Sequence, residues 1–136
     1  HPKAAGRRLI VVDASVILDL LRLAEGSTST EIALVSGEPL AAPDHMLVET
    51  TRVLRRWQLG GAFDAETASE MVIQALDLGI RSYSCGDLIP RAWELRNQFT
   101  LDDALYIALA EALPARLLTS DQKLASQASR FVEIYE

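Results

Sequence analysis

The chain has 136 residues, of which 49% are apolar and 24% charged, with a net charge of −6. That is enough chain for one domain with a sizeable core, and the composition is that of an ordinary globular protein. The acidic balance excludes nucleic-acid binding through bulk charge, though not through local basic strips; the lone Cys85 excludes a disulfide framework or a cysteine-ligated zinc. No apolar run reaches the roughly 18–20 residues of a membrane span, and a lone thiol fits a reducing compartment, so a cytoplasmic location is expected. Residues 1–8, HPKAAGRR, carry no apolar core, do not read as a secretory signal, and are set aside as a tail or cloning remnant. Residues 9–136 are expected to form one domain.

RLIVVD (8–13) is a short, β-rich apolar run of the kind covered on both faces of a sheet. SVILDLLRLA (15–24) then carries apolar residues at helical spacing, and STSTEIALVSG (27–37) suggests a second helix with Ser/Thr caps. PLAAP (39–43) reads as a strand. DHMLVETTRVLRRWQ (44–58) follows as a helix with Asp44 at its N-cap. Gly60-Gly61 ends it, and DAETASEMVIQALDLG (64–79) forms the second arm of a helical hairpin. IRSYS (80–84) is a strand, and DLIPRAWELRNQ (87–98) a helix with Pro90 in its first turn. TLDDALYIALAEAL (100–113) is apolar nearly all round and belongs in the core. RLLTS (116–120), DQKLASQAS (121–129) and FVEIY (131–135) read as strand, helix and closing strand. Strands alternating with helices call for an α/β sandwich with a mainly parallel sheet of about four to five strands.

In such sheets the ligand crevice lies outside the carboxyl ends of the strands. Asp13 directly follows one strand, and Asp121 follows another after LLTS. Each has a plain reading as a helix cap, and Asp103, three residues after Thr100, fits a capping-box-like pattern. In the helix from Asp44, Met46, Thr50, Val53, Leu54 and Trp57 share a face, and Glu49 falls at its border, about 60° from Met46. Arg52 and Arg56 lie on the same side, so Glu49 either turns toward a neighbouring element or pairs with an arginine of its own helix. Periodicity does not choose between Asp102 and Asp103. Carboxylates gathered at one crevice need a cation, and an all-oxygen set suits Mg²⁺ or Mn²⁺ and phosphodiester hydrolysis by an activated water.

The other candidates are weaker. His45 sits at a helix start, reads as exposed, and has no serine or cysteine motif beside it, which disfavours nucleophilic triad chemistry. The sequence has no glycine-rich phosphate loop. Trp57, Trp93 and Tyr106 fall at helical core spacing and read as packing, with base stacking a minor alternative. Arg52, Arg55 and Arg56 read as a solvated face; if the acids form a site, Arg52 and Arg56 are the candidates to hold an RNA backbone.

The ordered set VVDASV, MLVET, LDDALYIALA and LLTSD resembles PIN-domain ribonucleases, above all the VapC-type toxins of bacterial toxin–antitoxin pairs, and the resemblance spans Leu9 to Tyr135. It implies a three-layer PIN-like α/β sandwich and a metal-dependent endoribonuclease. Its Mg²⁺ or Mn²⁺ site falls on Asp13, Glu49, Asp103 and Asp121, with the hydroxyls of Ser15 and Thr119 supporting it. Asp103 rather than Asp102 matches, because it immediately precedes Ala104. Glu49 is expected to orient or deprotonate the attacking water, or to bind a second metal. The resemblance also implies an RNA substrate, a cognate VapB-like antitoxin laid across a groove near the site, and a homodimer. Two alternatives stand beside it. One is a haloacid-dehalogenase-like phosphatase, which wants a second aspartate where Ser15 stands and a downstream lysine, for which only Lys123 is available. The other is a catalytically silent PIN-like binding module, which tends to lose the acids kept here.

Overall fold

The computed structural model describes residues 9–23 and 37–135, so the expected tail and nearly all of the helix expected over 27–37 lie outside the described residues. β1 (Ile10–Val12) runs into α1 (Ala14–Leu23), and β2 (Leu40–Pro43) into α2 (His45–Leu59). α3 (Ala65–Leu76) returns to β3 (Arg81–Tyr83); a 3₁₀ turn at Cys85–Leu88 continues as α4 (Ile89–Glu94). α5 (Leu101–Ala112), β4 (Arg116–Leu118) and α6 (Gln122–Ala128) complete the order. Among the described residues, no helix is long and apolar enough to cross a membrane.

The four strands form one parallel sheet in the order β3-β2-β1-β4, with Val11 opposite both Ala41 and Leu117. This is the expected α/β sandwich. Successive strands step outward from β1 on one side, and β4 returns to its other side. The β1/β4 boundary is therefore the topological switch point, where open parallel sheets bind ligands. β1 is buried throughout, which is why it reads as an unbroken apolar run rather than an alternating one. α5 buries seven successive residues, Ala104 to Ala110, and forms the core helix.

Three elements differ from expectation. Residues 131–135 do not form a strand but make a single parallel bridge, Leu117 with Ile134. The N–H groups of Phe131 and Val132 turn back to the Ala128 carbonyl to close α6, leaving 133–135 to reach the sheet. The expected helix over 87–98 is shorter, because Leu95 N–H bonds Ala92, an i to i−3 contact that tightens and ends α4. Asp44 occupies the N-cap position of α2 but makes no side-chain capping bond there, since its helical φ and ψ turn the carboxylate away. The carboxylate instead accepts from Cys85 N at 3.2 Å. Of the aromatic residues read as core, Trp57 is half-buried between Arg22 and Phe63, whereas Trp93 is 59% exposed with Arg96 over its ring.

Candidate active site

At the switch point the sheet edge is stitched by side chains. Asp13, 6% exposed, ends β1. Its Oδ1 accepts from Ser15 Oγ at 2.5 Å and from Val16 N at 3.3 Å, so the helix-capping reading holds. Its Oδ2 accepts from Thr119 Oγ1 at 2.5 Å, a bond that comes from beyond the neighbouring strand and that local capping does not explain. Ser120 N donates to Ser15 Oγ at 2.9 Å and Asp121 N to Thr119 Oγ1 at 3.0 Å, so both predicted hydroxyls lock the end of β1 to the end of β4. Asp121 caps α6 through Lys123 N and Leu124 N, at 3.0 and 3.1 Å.

Asp13, Glu49, Asp103 and Asp121 line one crevice of about 310 Å³, with Arg52 and Arg56 on its wall. Four different elements thus bring all four predicted acids together. The chemistry of the crevice is strained by charge. Burial pushes the Asp13 carboxyl above its ordinary range, against the pull of its hydrogen-bond donors. Burial also raises Asp103, and the charges of Asp13 and Asp121 raise it further. Burial pushes Glu49 up to about 7, and Asp102 and Asp103 add to the rise although Tyr106 opposes it.

The structure separates Asp102 from Asp103. Asp103 lines the four-acid crevice; its N–H is held by Thr100 Oγ1 at 3.2 Å. Asp102 does not line that crevice, and its carboxylate lies 4.0 Å from His45 Nε2. Among the described residues, the one group of three ligand atoms all within 4.8 Å of one another is His45, Glu49 and Asp102. The expectation of an exposed His45 is therefore corrected. The ring packs on Tyr106, with centroids 4.7 Å apart, and its Nε2 lies 3.3 Å from the Asp102 carbonyl and 3.9 Å from Glu49. Burial holds His45 below its ordinary pKa. Glu49 is partnered by Tyr106 and His45 rather than by an arginine of its own helix.

Tyr106 is the site residue that sequence reasoning missed. Its ring is core, as expected, but its hydroxyl donates to Glu49 Oε1 at 2.6 Å. The available signal was a phenol on an otherwise apolar buried helix, three residues after Asp103: a buried tyrosine hydroxyl needs a partner.

A family model described as the PIN domain matches residues 10–129. Ribonuclease VapC1 of Mycobacterium tuberculosis is 35% identical over 119 residues, covering 85% of this chain and 88% of that protein. Ribonuclease VapC12 of the same organism is 30% identical over 126 residues, covering 93% of this chain and 97% of that protein. The chain belongs to the PIN-domain family, among its VapC-type ribonucleases. The fold of this PIN domain is similar to that of a solved Pyrobaculum aerophilum protein (TM-score 0.68, 21% identity, 94% of this chain and 85% of that one). It is also similar to Mycobacterium tuberculosis VapC20, described as a sarcin–ricin loop cleaving toxin (TM-score 0.66, 21% identity, 93% and 99%).

The raised carboxyl of Glu49 in this PIN domain fixes a sign for stability. Its ordinary pKa is 4.5 and its folded value about 7, so between those values the folded state holds a proton that the unfolded state has released. The stabilisation is complete below the ordinary value and is lost as the pH rises through 7. Asp13 and Asp103, also raised, act in the same direction at lower pH. His45, depressed, acts oppositely below its ordinary 6.5. In EDTA the melting temperature is expected to fall by about two to three degrees between pH ~6.5 and ~8, the alkaline tail of a loss that runs mainly between 4.5 and 7. Glu49→Gln is expected to flatten that slope, and Mn²⁺ to raise the curve most at its alkaline end. Melting curves by circular dichroism read this, and a melting temperature that rises across the window contradicts it.

Proposed function

We propose that this chain is a metal-dependent endoribonuclease toxin, hydrolysing RNA phosphodiester bonds and silenced by a cognate VapB-like antitoxin, with residues 9–136 acting as one PIN domain in the cytoplasm. The observation that carries this reading is the meeting of Asp13, Glu49, Asp103 and Asp121 in one crevice at the switch point. The VapC ribonuclease relatives supply the substrate class.

The donor set fits a hard divalent cation. It offers carboxylate oxygens, and three of its members are raised in pKa, two of them with neighbouring acids among the causes; a cation there would reverse those shifts. Asp13 and Asp103 are assigned as direct ligands, Asp121 as a direct or water-bridged one. Such an ion, Mg²⁺ or Mn²⁺, supplies Lewis-acid stabilisation of phosphoryl charge and acidifies an attacking water. The protein's own part is orientation and proton handling. Ser15 and Thr119 hold both oxygens of Asp13 in place. Glu49, on the wall of the same crevice, is placed to orient the attacking water or accept its proton, or to hold a second ion. Arg52 and Arg56 on the crevice wall are placed to bind phosphates flanking the scissile one. Exposed apolar residues on α2 and α3, including Val48, Leu59, Ile73 and Leu76, offer surface for a second copy in a homodimer.

The phosphatase alternative is disfavoured by Ser15, whose hydroxyl is spent on Asp13 and Ser120, and by Lys123, which does not line the crevice. A silent binding module gives no reason for four converging acids. The test is cleavage of structured RNAs by the purified protein. Cleavage is expected to stop in EDTA and to return with Mg²⁺ or Mn²⁺; undiminished cleavage in EDTA sinks the reading.

A further inference from the structure

We propose that Tyr106 is a positioning residue for RNA cleavage: its hydroxyl, through the hydrogen bond to Oε1 of Glu49, fixes the carboxylate in the crevice and leaves its other oxygen to meet water or a cation. This rests on the functional reading above.

The acids are held unequally. Asp13 accepts from two hydroxyls and a backbone N–H, and Asp121 from two backbone N–H groups. Glu49 has a longer, more flexible side chain, and its direct donor is Tyr106 at 2.6 Å. The Tyr106 bond is thus the short contact that holds Oε1, with His45 Nε2 further off at 3.9 Å. The donor itself is well fixed. Tyr106 is 2% exposed on the core helix α5, one turn beyond Asp103. The same rigid element thus supplies one acid and the clamp for another that comes from α2. On the far side His45 packs on the phenol ring and is itself held near the Asp102 carbonyl, which restricts the ring's plane. Packing alone needs only the ring, which phenylalanine would supply. The hydroxyl is the part whose geometry serves Glu49.

The experiment is Tyr106→Phe, made in the wild-type and in the Glu49→Gln background. It is read by the melting curve, by kcat and KM on RNA, and by Mn²⁺ affinity from calorimetry without RNA. Supporting groups of this kind are worth about 10–100-fold in metal affinity or activity. The expected result is a folded variant with kcat down by about that factor and KM for RNA within about twofold. Mn²⁺ affinity is expected to weaken in the wild-type background and not in the Glu49→Gln background. A fall in kcat with unchanged Mn²⁺ and RNA binding also supports the inference and places Glu49 on the water rather than on the cation. Unchanged kcat and Mn²⁺ affinity, an equal loss of Mn²⁺ affinity in both backgrounds, or failure of Tyr106→Phe to fold overturns it, the last by making the hydroxyl a stability element. If the wild-type protein itself shows no metal-dependent cleavage, the functional reading fails, and the Mn²⁺ arm still decides whether Tyr106 acts through Glu49.

Discussion

Asp13→Asn is expected to fold, to melt within a few degrees of the wild-type protein, and to lose RNA cleavage by about a thousandfold or more. Near-normal stability follows from the hydrogen-bonding pattern. An asparagine oxygen still accepts from Val16 N and Ser15 Oγ, so the α1 cap survives. The Thr119 hydroxyl, which donates to Oδ2, can rotate to accept from an amide instead. Removing a buried charge that burial already disfavours also offsets part of any loss in packing. The catalytic loss follows because no other side chain delivers a carboxylate from the end of β1, at the centre of the switch point. At about 1.4 kcal/mol per tenfold, a thousandfold loss is roughly 4 kcal/mol of transition-state stabilisation, reasonable for a lost anionic ligand. Circular dichroism melting with a cleavage assay at saturating Mn²⁺ reads both halves, and a folded variant that cleaves at the wild-type rate removes Asp13 from the chemistry.

Asp103→Asn and Asp102→Asn are expected to part company. The first loses about a hundredfold or more of activity, because Asp103 lines the crevice beside Asp13 and Asp121 and feels the charge of both. The second changes activity by about tenfold at most, since Asp102 is 54% exposed and faces His45 and Glu49 rather than the crevice. The adjacent pair is a stringent control, as both substitutions remove one charge from the same helical turn. Parallel measurements of kcat on one RNA decide it; equal losses at the two positions contradict the assignment.

Most of the architecture was legible because it depends on local pattern. The buried run of β1, the Thr100 cap on α5 and the hydrophobic density of α5 all state their roles in a few adjacent letters. The acids were legible as junction residues because parallel topology sends strand ends to one edge. What stayed hidden depends on contacts between residues far apart in sequence. Asp102 and Asp103 differ by one helical step on a segment that is apolar all round, so periodicity left them open; the motif resemblance pointed to Asp103, and it is Asp103 that lines the crevice with Asp13 and Asp121. His45 looked exposed because its burial comes from Tyr106, which lies 61 positions later in the sequence. The closing segment had strand-like composition, yet its first residues were taken by the turn that ends α6.

The strand order has a consequence for when the crevice can form. β1, with Asp13, is made before its partner β4, and the residues Thr119 and Asp121 follow Asp13 by more than a hundred positions. A product that ends before residue 116 has no β4 against β1, no hydroxyl from Thr119 on Asp13, and only three of the four acids. On the proposed reading, a product truncated before β4 is expected to be inert rather than partly active.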